Sequence, residues 1–192
     1  MIHVCYALRD EQGNYSKFVG TSIQSLLENT QKEVTVHILY DDTVSKENRA
    51  KLRKLVCNFD QDVLFYNVDE LVPNLIERCW EIPSLKNDRH GVAIYYRLMI
   101  PELFPRHIPR VIYLDADLII HLDIDEMYSM NLLGKPIAAV PEATSGQGEA
   151  NLKKFGPVAD GDVKWNDYFN AGVMLMDLDQ IRGGGGIYSI SA

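Results

Sequence analysis

The chain has 192 residues, of which 46% are hydrophobic and 24% charged, and its formal net charge is -8. This composition is that of an ordinary globular chain with enough apolar residues to bury a core, and its length predicts a single domain. The acidic balance argues against a nucleic-acid partner, which would favour a basic surface.

Strands and helices alternate along the first half of the chain. A buried strand is predicted at residues 2–8, and a polar loop containing Gly13 follows it. Apolar residues then recur at helical spacing between Phe18 and Leu27. Further strands are predicted at residues 34–40 and 63–68, and Ser45 is a predicted N-cap for a helix over residues 46–57.

The second half of the chain continues this alternation. A helix is predicted from about residue 92 to residue 100 and is expected to stop at Pro101, because proline interrupts a continuing helix. An apolar strand begins at Val111, a short helix is predicted near residues 125–130, and strands are predicted at 137–140 and 172–176. The pattern indicates an α/β fold with a mostly parallel central sheet and helices on both faces.

Two stretches depart from the pattern. Residues 144–161 are rich in glycine, serine and polar residues, which predicts a mobile loop that could cover a ligand. Residues 183–186 are four consecutive glycines, which act as a flexible tether and cannot continue a packed element. We therefore expect one domain over residues 1–182 and a tail, residues 183–192, that is not part of the native fold.

The amino-terminal sequence and the cysteines indicate the cellular compartment of the protein. The terminus lacks the charged flank and cleavage site of a signal peptide, and no apolar stretch approaches the roughly 20 residues of a spanning helix. Cys5, Cys57 and Cys79 include no CxxC pair, which favours a reducing compartment and no disulfide framework. We expect a cytoplasmic protein.

The segment VIYLDADLII at residues 111–120 carries the strongest candidate site. If the strand continues, Asp115 and Asp117 leave it from the same side, roughly 6 to 7 Å apart at about 3.3 Å per residue. Carboxylates held that close repel each other, and a hard divalent cation removes this cost. Because open α/β sheets bind ligands at the carboxyl ends of their strands, the pair predicts a metal and phosphate site. The alternative is a strand end with two solvated acids.

Three other positions each allow two interpretations. Arg97, in the predicted helix, is either a clamp for the acids or phosphate, or a surface arginine whose stem covers apolar residues. Asn170 interrupts an apolar strand beside Gly172, which could let a ligand approach the backbone, but the same residues also suit a turn into an edge strand. Tyr15 could stack on a base or pack on the following helix.

Taken in chain order, these segments resemble glycosyltransferase family 8. The matching parts are ALRD with NY after it, FVGTSIQSLL, SKENRAKL, YYRL, YLDADLII and YFNAGVMLMDL, and together they cover the chain from about His3 to Arg182. The family consists of retaining enzymes with a GT-A type fold and includes bacterial lipopolysaccharide galactosyl- and glucosyltransferases and glycogenin. The resemblance implies metal-assisted transfer of glucose or galactose from a UDP-sugar to a saccharide or lipid-linked saccharide.

The resemblance also implies roles for the donor-binding positions. The two aspartates match acids that hold Mn²⁺, or Mg²⁺, against the diphosphate of the UDP-sugar. The residue between them lies near the ribose, and the loop after the first strand receives uridine, with a tyrosine under the base. In this chain the metal ligands would be Asp115 and Asp117, the ribose neighbour Ala116, and the uridine loop Ala7, Asp10, Asn14 and Tyr15.

On the sugar side, Arg97 matches an arginine that orients the acids and the donor. Asn170, Ala171 and Gly172 match the donor-sugar and acceptor side of the family site. Glu142 falls where related enzymes keep an acid facing the transferred sugar, so that Asn170 and Glu142 are the candidate catalytic residues.

One departure from the family pattern concerns the region after Arg182. The family carries later motifs there, including a His-Gly-Lys sequence whose histidine completes the metal site, and nothing in this chain matches them. We therefore expect a chain that represents part of a catalytic domain and turns over poorly as it stands. Bacterial members act on lipid-linked acceptors, which implies peripheral association with the inner face of the membrane through the region absent here.

Two alternatives stay open. A phosphatase of the haloacid-dehalogenase type also places an Asp-x-Asp after an apolar strand, with Asp115 as its nucleophile. That class favours threonine or valine where this chain has Ile119, and its motif lies near the start of the fold, whereas three predicted strands precede it here. The other alternative is a module that binds a nucleotide-sugar without catalysis. Whether retention of configuration involves front-face attack or a covalent intermediate is left open as well.

Overall fold

The protein is described by a computed structural model that covers residues 1–80, 91–141 and 169–184. Within these residues six strands form one sheet. They are β1 (Ile2–Leu8), β2 (Val34–Tyr40), β3 (Asp62–Asn67), β4 (Arg110–Leu114), β5 (Ile137–Pro141) and β6 (Phe169–Asp177). Their order across the sheet is β3-β2-β1-β4-β6-β5.

The sheet is mostly parallel, as predicted. The neighbouring pairs β3-β2, β2-β1 and β1-β4 are all parallel, whereas β6 runs antiparallel to both of its neighbours, β4 and β5. Consequently β5 has the same direction as the first four strands, and β6 alone is reversed. The carboxyl ends of β1, β2, β3 and β4 therefore share one edge of the sheet, where an α/β fold places its ligands.

Helices cover both faces of this sheet. The described helical segments are α1 (Ser16–Asn29), α2 (Lys46–Cys57), α3 (Val68–Leu71), α4 (Pro73–Trp80), a 3₁₀ helix (Gly91–Met99), α5 (Ile100–Leu103), α6 (Ile124–Tyr128) and α7 (Leu178–Gly183). None of them is long and apolar enough to cross a lipid bilayer.

Alternation along the strands divides the core into two apolar clusters, one on each face. Tyr6 of β1 and Ile38 of β2 pack with residues of α1 and α2 on one face. Cys5 and Leu39, their neighbours in sequence, pack on the other face with residues of the 3₁₀ helix, α4 and α5. Because successive side chains of a strand point to opposite faces, continuously apolar strands serve both clusters.

The first half of the chain follows the prediction closely. The bounds of β1, β2 and α2 are those expected, and the Ser45 side chain caps α2 by accepting a hydrogen bond from the backbone N–H of Asn48 at 3.1 Å. Helix α1 is present, but Phe18 lies outside its buried face and is 44% exposed. The short helices α3 and α4 were not predicted.

The prediction around Pro101 was wrong. The segment expected to form one helix is a 3₁₀ helix, Gly91–Met99, which leads directly into α5. Pro101 lies in the first turn of α5, where its missing N–H is not needed for an intrahelical bond, so it starts a helix instead of ending one.

Arg182 holds the last described helix to the rest of the fold. It lies in α7, and its guanidinium donates hydrogen bonds to the carbonyls of Pro101, Phe104 and Ile108 at 3.0, 2.8 and 3.2 Å. These carbonyls belong to α5 and the loop after it, so the Arg182 side chain, which is 5% exposed, satisfies several backbone acceptors.

Several sequence predictions lie outside the described residues. Glu142, the loop at 144–161 and positions 185–192 of the tail belong to this group. Gly183 is the last residue of α7, and the backbone N–H of Gly184 bonds to the carbonyl of Gln180 at 3.1 Å. The extent of the domain therefore stays a prediction.

Candidate active site

The candidate site lies at the carboxyl edge of the parallel strands. Cys5 of β1 pairs with Tyr113 of β4, so the ends of these two strands reach the same edge. There Ala7 lies near the end of β1, and Asp115 follows the last residue of β4. The topology thus brings together residues that the sequence separates by about a hundred positions.

Asp115 is held by its backbone and by one oxygen of its carboxylate. Its backbone N–H donates to the carbonyl of Gly172 at 2.8 Å. Oδ1 accepts hydrogen bonds from the Tyr113 hydroxyl and from Arg97 Nη2, each at 3.0 Å. Neither of these contacts uses Oδ2.

Asp115 and Asp117 do not belong to a continuing strand, and the expectation that β4 extends through them was wrong. Strand β4 ends at Leu114, and Ala116 and Asp117 form a turn. Ala116 is buried and Asp117 is exposed, while Asp115 is intermediate. The two acids therefore lie at a turn that follows the end of β4. The distance between them is not set by the rise per residue of a strand.

Arg97 acts as a clamp in this structure. Besides its bond to Asp115, Arg97 donates a hydrogen bond from Nη1 to the carbonyl of Ala171. Its guanidinium carbon lies 4.5 Å from the centroid of the Tyr113 ring. Its side chain is only 14% exposed, whereas that of Asp115 is 38% exposed. A surface arginine would keep its charged head in water, so the clamp interpretation fits this geometry.

The start of β6 completes the surroundings of Asp115. Asn170 Oδ1 accepts a hydrogen bond from the backbone N–H of Gly172 at 2.8 Å. A β carbon on Gly172 would lie 2.6 Å from Asp115 Oδ2 and 3.0 Å from Asn170 Oδ1. The side chains of Asp115 and Asn170 therefore lie against Gly172, and they leave no space for a side chain at position 172.

The loop after β1 brings Tyr15 toward the acids. Burial, followed by the negative charges of Asp117 and Asp115, raises the pKa of Tyr15. The ring of Tyr15 lies 5.6 Å from that of Phe18 and is partly exposed. Asn14, next to it in sequence, is exposed. Tyr15 thus stands within electrostatic range of both aspartates with a ring open to solvent.

Asp10 stabilises the loop after β1 through hydrogen bonds. It is 2% exposed, and its carboxylate accepts from the backbone N–H of Tyr15 at 2.7 Å, the backbone N–H of Ser16 at 3.1 Å, the Ser16 hydroxyl and Asn48 Nδ2 at 3.1 Å. Burial alone would raise the pKa of Asp10, but the bonds from Ser16, Tyr15 and Asn48 outweigh it and lower the pKa. The carboxylate caps α1, whose own N-cap residue offers no side-chain bond.

A second buried acid links this loop to the 3₁₀ helix, and the sequence analysis missed it. Asp41 is 1% exposed and accepts from the Tyr96 hydroxyl at 2.9 Å, from Arg9 Nη1 at 2.5 Å and from Thr43. Thr43 Oγ1 in turn accepts from the backbone N–H of Asp10 at 2.8 Å. These hydrogen bonds connect the loop after β1, which carries Tyr15, to Tyr96, the residue next to Arg97.

Tyr113 was also missed, because a tyrosine within an apolar strand looks like a core residue. Its hydroxyl was the available signal, since a buried tyrosine hydroxyl usually needs a hydrogen-bond partner. Burial raises the pKa of Tyr113 well above its ordinary value, with Arg97 opposing and Asp115 reinforcing this effect. The hydroxyl therefore stays protonated and can donate to Asp115.

The described acids offer the right kind of ligand for a hard cation. Carboxylate oxygens, available at Asp115 Oδ2 and on the exposed Asp117, are what Mg²⁺ and Mn²⁺ prefer. Among residues 1–80, 91–141 and 169–184, no group of three or more His, Cys, Asp and Glu side chains could hold a metal ion. A cation held by this pair would need further ligands, such as the oxygens of a bound phosphate or of water.

A mostly parallel sheet covered on both faces, with acids after β4, is the arrangement of a GT-A type fold. The family model of "Glycosyl transferase family 8" matches residues 5–184, and the chain belongs to that family. This match favours the glycosyltransferase interpretation over the phosphatase alternative.

Curated relatives agree with this assignment. The chain is 30% identical over 172 residues to "General stress protein A" of Bacillus subtilis, with 88% of this chain and 54% of the relative covered. It is 28% identical over 174 residues to the "Lipopolysaccharide 1,3-galactosyltransferase" of Salmonella typhimurium, with 83% and 44% covered. The chain thus spans about half the length of these relatives.

Solved structures share the fold. An active-site mutant of LgtC superposes with a TM-score of 0.72 at 25% identity, covering 95% of this chain and 59% of that one. The galactosyltransferase LgtC in complex with donor and acceptor sugar analogues gives 0.70 at 24% identity, with 95% and 60% covered. Mouse xyloside xylosyltransferase 1 gives 0.67 at 20% identity and shows the fold alone. The predicted fold class and family are confirmed.

Proposed function

We propose that this protein transfers a hexose, glucose or galactose, from a UDP-sugar to a saccharide or lipid-linked saccharide acceptor, with retention of configuration and with help from Mn²⁺ or Mg²⁺. The observation that carries the proposal is the clamped Asp115 at the carboxyl edge of the sheet, with Oδ2 outside its contacts with Arg97 and Tyr113. Family membership and the similarity to lipopolysaccharide galactosyl- and glucosyltransferases support the same reaction.

Asp115 and Asp117 would hold the cation against the diphosphate of the donor. When bound, the cation would neutralise the charge that grows on the departing diphosphate. Arg97 keeps the Asp115 carboxylate oriented, because its planar guanidinium donates a hydrogen bond to Oδ1. The hydrogen bond to Ala171 fixes Arg97 itself.

The uridine end of the donor would lie on the loop after β1. A partly exposed tyrosine ring gives a base a stacking surface, which Tyr15 offers close to the acids. Ala7 and Ala116 are small, so they leave room for the nucleoside between β1 and the turn after β4. Asn14 is exposed next to Tyr15 and can bond to the ribose or base.

The transferred sugar would lie over the start of β6. Asn170 and the backbone of Ala171 and Gly172 form that surface, and Asn170 Oδ1 lies near Asp115. An amide oxygen in this position can stabilise the oxocarbenium-like sugar of glycosyl transfer. Glu142 is proposed as a second acid facing that sugar. For the acceptor, we propose a lipid-linked saccharide reached from the cytoplasmic face of the membrane by a peripherally associated protein.

The proposal is tested by isothermal titration calorimetry with UDP and Mn²⁺, followed by a transfer and hydrolysis assay with UDP-glucose and UDP-galactose. We expect UDP to bind more tightly with Mn²⁺ present. Asp117→Asn should lose that enhancement, since it removes one carboxylate charge. Asp60→Asn is the matched control, because Asp60 has a φ of 55°, which asparagine also adopts, and lies outside the site.

Each outcome separates the alternatives. Binding with turnover supports a transferase, and binding without any turnover supports a module that only binds nucleotide-sugar. UDP binding that does not respond to Mn²⁺ in the wild-type protein contradicts the metal-assisted reaction. A phosphorylated Asp115 after incubation with a phosphate ester would support the phosphatase alternative.

A further inference from the structure

We infer that Tyr113 is a positioning residue of the metal site: together with Arg97, its hydroxyl occupies Oδ1 of Asp115 and so leaves Oδ2 to face the cation. The inference rests on the proposed function, because it assumes that Asp115 is a metal ligand. It adds a residue to which the sequence analysis gave no role, and it assigns different tasks to the two oxygens of one carboxylate.

The contacts of Oδ1 come from two different elements. Tyr113 donates from β4 and Arg97 from the 3₁₀ helix, each at 3.0 Å. A single donor would let the carboxylate plane swing about it. Two donors on different elements restrict that motion.

The two donors also hold each other. The guanidinium of Arg97 lies over the Tyr113 ring at 4.5 Å, which favours both a fixed ring and a fixed cation. Tyr113 is only 2% exposed, so packing restricts its ring as well. Neither donor has to be ordered when a ligand binds.

The other side of the carboxylate is bounded by backbone. Asp115 Oδ2 approaches Gly172 so closely that no β carbon fits there. Oδ2 therefore has the backbone of β6 on one side, while Oδ1 is bonded on the other. The carboxylate is oriented before any cation arrives, which is the role expected of groups that surround a metal ligand.

A purely structural role for Tyr113 predicts something different. The neighbouring strand positions Val111, Ile112 and Leu114 are aliphatic, and phenylalanine would fill the space of the Tyr113 ring equally well. If only packing mattered, Tyr113→Phe would leave Mn²⁺ binding unchanged. If the hydroxyl orients Asp115, the same substitution would weaken Mn²⁺ binding while the fold is retained.

The experiment compares Tyr113→Phe with the matched control Tyr6→Phe. Tyr6 is a fully buried tyrosine whose hydroxyl accepts from Ser22 Oγ at 3.2 Å, and it packs on the opposite face of the sheet. Free Mn²⁺ is measured by electron paramagnetic resonance during titration of each protein in saturating UDP. We expect Tyr113→Phe to weaken Mn²⁺ binding about 10- to 100-fold and Tyr6→Phe to leave it unchanged.

A kinetic readout accompanies the titration. Tyr113→Phe should need more Mn²⁺ for half-maximal turnover and should regain most of its kcat at saturating Mn²⁺, because the ligand oxygens are still present. Arg97→Met removes the other donor to Oδ1 and serves as a second variant, so it must weaken Mn²⁺ binding in the same direction. The Tm of every variant is measured to establish that each is folded at the assay temperature.

Two results would overturn the inference, and they can be told apart. If folded Tyr113→Phe binds Mn²⁺ as tightly as the wild type, Tyr113 has no positioning role, while the metal site itself stands. If the wild-type protein with UDP binds no Mn²⁺, the proposed metal site fails and the inference fails with it.

Discussion

Gly172 lies directly against the carboxylate of Asp115, with space for a hydrogen atom and nothing larger. A methyl group at this position would lie 2.6 Å from Asp115 Oδ2 and 3.0 Å from Asn170 Oδ1. We therefore expect Gly172→Ala to displace both side chains and to lower Mn²⁺ affinity and kcat by at least about tenfold. The measurements are Mn²⁺ titration in the presence of UDP and steady-state turnover.

Gly20→Ala is the control for that substitution. A β carbon on Gly20 would meet Leu52 Cδ2 at 3.6 Å and Leu55 Cδ2 at 3.8 Å, which are ordinary contacts, and Gly20 lies inside helix α1. It should leave activity unchanged and stabilise the protein by about 0.5 to 1 kcal/mol. Equal turnover in Gly172→Ala and the wild type would contradict the close approach of Asp115.

Arg97→Lys is expected to impair the proposed transfer reaction although it keeps the positive charge. An ammonium group cannot bond to Asp115 and Ala171 at once while lying flat on the Tyr113 ring. We expect kcat/KM for the donor to fall about 10- to 100-fold. Arg53→Lys is the control, because Arg53 lies over Phe65 at 5.1 Å on an exposed part of α2. Similar losses in both variants would argue against a specific clamp.

Asp10→Asn should weaken nucleotide binding through the position of Tyr15. The carboxylate accepts from two backbone N–H groups at the start of α1, and an amide is a weaker acceptor with only one oxygen. We expect about 1 to 2 kcal/mol less stability and a several-fold weaker Kd for UDP, measured by urea unfolding and calorimetry.

Two further variants distinguish an effect on the position of Tyr15 from an effect on the stability of the protein. Ser16→Ala removes one donor to Asp10 and should weaken UDP binding in the same direction. Ser45→Ala removes the cap of α2 and should cost about 1 kcal/mol of stability with no change in the Kd for UDP. If Ser45→Ala weakened UDP binding as much as Asp10→Asn, general destabilisation would explain the result.

Stability should fall in mild acid because of His37. Burial, and then the neighbouring His3, lower the pKa of His37 to about 3, and its ring nitrogens face His3 and the Tyr66 hydroxyl at 3.0 and 3.1 Å. In the unfolded chain the pKa is about 6.5, so between these values the unfolded state binds more protons. The contribution is complete above pH 6.5 and is lost as the pH falls toward 3.

The expected loss between pH 7.5 and pH 5 is about 2 kcal/mol in the free energy of unfolding. Urea unfolding at both pH values measures it. His37→Gln should flatten this dependence, whereas His121→Gln, at an exposed position, should leave it as in the wild type. A wild-type stability that is the same at both pH values would contradict a buried neutral histidine.

The fold could be predicted where local signals and tertiary contacts agree. The strands β1 and β2 are continuous apolar runs, and α2 has a capping serine, so their bounds follow from the sequence. The helix end predicted at Pro101 was wrong, because proline is unfavourable inside a helix but well tolerated in the first turn, where Pro101 lies. The reversed direction of β6 depends on pairing with β4 and β5 and leaves no local signal.

The candidate site was predicted by residue type more than by geometry. Asp115, Arg97 and Gly172 were identified because polar or flexible residues interrupt apolar patterns. Their mutual contacts arise from sheet order, which the sequence does not encode locally. Asp41 and Tyr113 were missed since an acid after a strand and a tyrosine inside one are both common, and only tertiary partners distinguish them.

The clamp on Asp115 joins segments that are far apart in sequence. Arg97 and Ala171 are 74 residues apart, and their contact requires β6 to have entered the sheet between β4 and β5. Contacts between such distant segments require loop closure, and they form more slowly than local contacts. If Mn²⁺ binds Asp115 as proposed, recovery of its signal after dilution from denaturant would report when β6 enters the sheet.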